Sequence, residues 1–181
     1  MKELGLHLFG KSIVSVIFNE MMSAYAHAMG IVHCAHAAEL LIKARIAEEH
    51  PLLIFESLPK PSNDGTSLEL KKLLMEARTI KYSDLPGALW AATGDRIPSI
   101  EEFNSFGNLR NGIVHLCVPS GIEFDARTID YGFKIIEPMI RRWWSVDVVE
   151  YMEEYDADCE DYLLECLAAR NLSFTRVTGA P

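Results

Sequence analysis

The stretch FGNLRNGIVHLCVPSG, residues 106–121, sets Arg110, Asn111 and His115 in a run otherwise suited to a buried helix. An arginine offers a planar fork for phosphate oxygens, and a histidine exchanges a proton near neutral pH. Together they are a minimal kit for cleaving a phosphodiester by general acid–base chemistry that requires no metal and no cofactor. In RNA the nucleophile is the substrate's own 2′-hydroxyl, which an imidazole deprotonates while the arginine stabilises charge growing on phosphorus. Asn111 and His115, four residues apart, stack on one helix face, and the long stem of Arg110 lets its guanidinium swing alongside. Gly112 costs helix stability but clears space for a substrate or a partner helix. By spacing alone the pair also suits a structural role, with the arginine on a helix-terminal carboxylate and the histidine satisfied in a core.

Other residues with chemical potential fit blander roles. His33 and His36, with His27 and Glu39, sit at helical spacing, yet packing accounts for them and no fourth ligand falls at a persuasive distance, so no metal site is expected. Cys117 lies two residues from His115, on the wrong side of a helix for a nucleophile and its base. The cysteines Cys34, Cys117, Cys159 and Cys166 form no CxxC pair, which suits buried thiols in a reducing compartment. Trp143 and Trp144 read as closing a core or a subunit interface, with Arg141 and Arg142 solvated.

The elements that must position these residues read as helices almost throughout. Phe9, Ile13, Val16, Ile17, Met21, Ala24, Tyr25 and Ala28 predict one long amphipathic helix ending at Gly30. A second helix is predicted over Ile31–Glu49, closed by His50-Pro51, with Glu39 four residues before Lys43 for a local ion pair. PLLIF, 51–55, reads as an apolar loop or tucked extended segment, and 57–65 as an exposed connector. Capping boxes at Thr66–Glu69 and Ser99–Glu102 open helices, the second carrying the motif; a short helix falls between them at about 84–92. A helix over Asp125–Trp144, kinked at Pro138, and a last one over Val146–Arg170 complete an all-α bundle.

The run R-N-x-x-x-H before a Pro-Gly break, together with AHAAELLIKARI at 35–46, resembles the HEPN domain family. Active members of that family carry R-x4-6-H with a polar residue directly after the arginine, matched here by Arg110, Asn111 and His115. Glu39 matches their often acidic helical residue, with Lys43 as a further supporting residue. The resemblance spans about 6–144 as an arrangement of helices, and the two quoted segments carry it in detail. His115 is followed by Leu116 and Cys117, without the tyrosine two positions on that marks toxins paired with nucleotidyltransferases, so adenylylation here is not implied. What the resemblance implies is a metal-independent endoribonuclease leaving a 2′,3′-cyclic phosphate, in a homodimer whose motif helices face each other. The family includes toxins, CRISPR-associated nucleases and phage-defence proteins, which also implies an antitoxin or regulatory partner. Its inactive members imply the alternative of a non-catalytic module that binds nucleotide, RNA or a protein.

Size and charge set the remaining bounds. A chain of 181 residues, nearly half of them apolar, fits a single domain over 1–181, with a core at about 6–144 and an acidic helical extension at about 145–170. Neither a secretory signal nor a run long enough to cross a bilayer is apparent, so a soluble cytoplasmic protein without membrane partners is expected. The net charge of −9 is concentrated in 145–169, which holds nine acids and no lysine or arginine. Such a run is first the solvated face of a surface helix; more sharply, it imitates polyphosphate and masks Arg110. The near-neutral remainder leaves room for a local basic cleft.

Overall fold

The computed structural model describes residues 1–18, 24–59 and 70–177. Among the described residues it is all-α apart from one two-stranded ribbon. The helices are α1 (Lys2–Ile17), α2 (Ala24–Glu49), α3 (Leu70–Glu76), α4 (Leu85–Thr93), α5 (Ile100–His115), α6 (Phe124–Tyr131), α7 (Glu137–Trp144), α8 (Val149–Glu153) and α9 (Cys159–Ala169). Among the described residues no helix is long and apolar enough to cross a membrane. The chain divides into two compact units, one of Met1–Leu41 with Ile97–Pro181 and one of Ile42–Arg96.

In the larger unit α1 is the central element, packed on α6, α8 and α9. Its buried face of Leu6, Phe9, Ile13 and Val16 follows the predicted periodicity. The predicted single helix through Ala28 is instead two, and Gly30 lies inside α2 rather than ending a helix. The apolar period carries across because both helices bury a face, and the glycine serves close packing. A Cβ at Gly30 would stand 2.8 Å from Val16 Cγ1, and one at Gly5 would stand 2.8 Å from Leu41 Cγ. These two contacts run α1 and α2 antiparallel, with the fully buried Ala35, Ala37 and Ala38 keeping the groove shallow.

The segment over Phe124–Trp144 is one continuous helical run, but its irregularity is a π turn at Gly132–Ile136, not a kink at Pro138. Proline lacks an N–H and crowds the carbonyl four residues earlier, here Lys134, and a widened turn at that point removes both conflicts. Tyr131, fully buried, stacks on Phe106 of α5 with ring centroids 3.8 Å apart, which fixes the motif helix on this run. The predicted last helix is broken into α8 and α9. At the break Asp156 Oδ1 accepts from the N–H of Asp158 at 3.0 Å, a local bond that competes with helix continuation.

The smaller unit has its own core of Ile42, Ile46, Ile54, Leu85 and Leu89. The predicted loop at PLLIF is a 3₁₀ turn over Pro51–Ile54 leading into β1 (Phe55–Ser57), with His50 Nδ1 accepting from Leu52 N at 3.2 Å. β1 pairs antiparallel with β2 (Arg78–Thr79). Two residues are too short for a period-2 signal, so the partner strand was illegible. The Thr66–Glu69 box and most of the 57–65 connector lie outside the described residues.

Candidate functional site

α5 starts where the Ser99 box predicts: Ser99 Oγ accepts from the N–H of Glu102 at 3.3 Å. The Glu102 carboxylate pairs with Arg127 at 3.3 Å, and Arg127 also donates to Ser105 Oγ at 3.0 Å. Phe103, Phe106 and Gly107 form the buried face of α5. Glu101, Asn104, Asn108, Asn111 and His115, three or four apart, form an exposed one.

Arg110 lies at the border of the two faces, its side chain about a quarter exposed. Nη1 donates to Asn111 Oδ1 at 2.8 Å and Nη2 stands 3.8 Å from Glu39 Oε2 on α2. Its Nε is buried and makes no hydrogen bond among the described residues. A partly exposed ion pair this long contributes under about 1 kcal/mol, so an incoming phosphate can displace it. The structure thus brings Arg110, Asn111 and Glu39 together.

His115 stands apart. It is exposed on the last turn of α5, and among the described residues no hydrogen bond or ion pair joins it to Arg110. Five residues turn a helix by about 140° beyond a full turn, so the two side chains leave the axis in different directions. Asn111, on the same face as His115, accepts from Arg110. A Cβ on Gly112 would meet nothing within 4 Å, and exposed Val114 and Leu116 flank the same end of the helix.

Lys43 is held in the smaller unit. It is 5% exposed and donates to Thr79 Oγ1 at 3.0 Å within the smaller unit, tying α2 to β2. Among the described residues no group of three or more His, Cys, Asp or Glu is placed to hold a metal. Cys34 is buried and its thiol is pushed up to about 12 by that burial, whereas Cys117 is exposed, unlike the buried thiol expected. Arg141, expected in solvent, is bound to Glu137 and lies over the Phe174 ring at 5.3 Å.

Two features escaped sequence reasoning. A cavity of about 550 Å³ opens between α5 and the start of α6, lined by Ser105, Leu109, Ile122, Glu123 and Arg127 among others. Its residues come from two segments joined by a loop with no motif of its own. The second is the C-terminal strap. Arg176 reaches Asp147 at 3.3 Å, Glu153 at 3.0 Å and Glu160 at 2.9 Å, and Phe174 sets its ring edge-on to Phe133. Three acids of the run therefore meet its own tail, and a fourth, Glu154, lies 3.1 Å from His7.

No protein-family model, curated protein or solved structure matches this chain.

Proposed function

We propose that this protein is a metal-independent endoribonuclease of HEPN type, active as a homodimer with its motif helices facing each other. The observation that carries the reading is the state of Arg110: a guanidinium on a weak 3.8 Å pair, with a buried Nε left over, five residues before an exposed histidine on the same helix. Arg110 binds the scissile phosphate, exchanging Glu39 for phosphate oxygens. His115 takes the proton of the 2′-hydroxyl, the O2′–P bond forms, and the P–O5′ bond breaks as the imidazolium returns that proton to the leaving oxygen. Two helices meeting at the open side of Gly112 set the arginine of one copy near the histidine of the other, which answers the divergence within one chain. The setting this chemistry suits is a toxin or phage-defence effector in the cytoplasm, restrained by an antitoxin or regulatory protein.

The Arg110–Glu39 pair also favours a second reading, a non-catalytic module of the same type that binds nucleotide, RNA or a protein. The deciding experiment incubates labelled RNA with the protein in EDTA, comparing wild type with Arg110→Ala and His115→Ala. The expected outcome is cleavage by wild type to a 2′,3′-cyclic phosphate, with each variant slower by at least about 100-fold. Equal silence from three folded, dimeric preparations sinks the nuclease and leaves the binding module.

A further inference from the structure

Three cationic or protonatable side chains lie beside the Arg110–Glu39 pair without a role in the chemistry above. His33, His36 and Glu39 follow one another at three-residue steps on α2, so each neighbours the next on one helix face. The antiparallel seating of α1, with Gly5 at Leu41 and Gly30 at Val16, brings Lys11 level with the turn that carries His33 and His36. Lys11 and His36 are exposed, and His33 is partly so. The charged groups bearing on His33 are Lys11 from α1 and His36 from its own helix, and after burial these two hold its imidazole below the usual range. Along α2 the order is His33, His36, Glu39, with Lys11 of α1 beside the first two and Arg110 of α5 beside the last.

We infer that Lys11, His33 and His36 form a docking track for RNA phosphates outside the scissile bond, leading the strand to Arg110. The inference rests on the RNA-cleaving reading for its ligand. A chain of net charge −9 repels a polyanion at long range, so a local run of cations is what it requires to seat one. Lys11 supplies a permanent charge, both imidazoles donate hydrogen bonds, and His33 gains a proton as a phosphate arrives. Glu39, the one acid in the row, is already engaged by Arg110 at 3.8 Å.

The test uses the full chain and a fluorescent 2′-O-methyl oligoribonucleotide, which lacks the nucleophile and is bound without being cut. Binding is read by anisotropy across a salt series from about 50 mM and across pH 5.5–7.5. Wild type is expected to bind more tightly as pH falls. The combined change Lys11→Glu, His33→Gln, His36→Gln should weaken binding at least about tenfold, lower the log–log salt slope by about one per cation removed, and flatten the pH dependence. The exposed single change His36→Gln, with a smaller loss of the same sign, keeps the test decisive if the combined variant fails to fold. Wild-type binding that is absent, or unchanged in the variants, overturns the track; if wild type still cleaves RNA, the nuclease stands without it. Binding that the variants lose, in a protein that cleaves nothing, keeps the track and removes the nuclease.

Discussion

The C-terminal strap and the motif face of α5 belong to one compact unit and each centres on an arginine, but the two guanidinium groups are held differently. Arg176 touches three carboxylates within 3.3 Å, and one of them, Asp147, has a side chain only 1% exposed. Asp147 is further held by the N–H groups of Val149 and Val177 at 3.0 and 2.9 Å. Arg110 has one distant carboxylate and the neighbouring amide. A guanidinium held on three close carboxylates is a rivet; one on a single distant carboxylate is free to meet a ligand. Asp147, Glu153 and Glu160 of the acidic run belong with the rivet, since they hold the tail down, and Arg110 has its partners elsewhere.

The largest effect that tests this contrast is on stability. Arg176→Ala leaves the buried Asp147 carboxylate without its cation and should cost about 2 kcal/mol, or roughly 4–8 °C in Tm by calorimetry. Arg110→Ala removes only a weak pair and should cost under about 1 kcal/mol. Equal losses in the two variants would mean that Arg110 is as structural as Arg176, and the site reading would lose its main support.

Two helix glycines give the next contrast. A Cβ at Gly10 would lie 2.8 Å from the backbone carbonyl of Tyr151, which cannot give way as a side chain does, whereas at Gly112 it meets open space. Gly10→Ala should therefore destabilise by about 1–3 kcal/mol through overpacking. Gly112→Ala should stabilise the single chain by about 0.5–1 kcal/mol, the ordinary helix preference for alanine. If motif helices meet there, the stabilised variant loses dimer and RNase activity together, as sedimentation and cleavage would show. A stabilised variant that keeps both would place the helix contact elsewhere.

Much of the architecture was legible because its signals are local. The Ser99 cap, the close of α2 before His50-Pro51 and the period of α1 each depend on a few neighbouring residues. The errors lie where the deciding partner is distant. Gly30 reads as a terminator until Val16 is seen against it, and β1 reads as unpaired until Arg78–Thr79 is found beside it. At the site, spacing put Asn111 and His115 on one face, but the direction of Arg110 depended on Glu39, some seventy positions earlier in the chain. Nothing local in the sequence says that a tail residue, Arg176, returns to Asp147.

The smallest effect separates a docking histidine from a packed one. Burial, then Lys11 and His36, hold the His33 imidazole below its ordinary 6.5 in the folded chain. Unfolding restores the ordinary value, so below about pH 6.5 the unfolded chain binds the extra proton and stability is lost as pH falls, until folded His33 is protonated as well. Above that pH the group contributes nothing. His33→Gln should remove this part of the slope of stability against pH between 6.5 and 5, measured by urea denaturation. A bound 2′-O-methyl oligonucleotide supplies the opposite charge, favours protonated His33 in the folded state, and should reduce the same slope in wild type. An oligonucleotide that leaves the wild-type slope intact would show His33 to be buried beside Lys11 without facing a phosphate, and the track would shrink to Lys11 and His36.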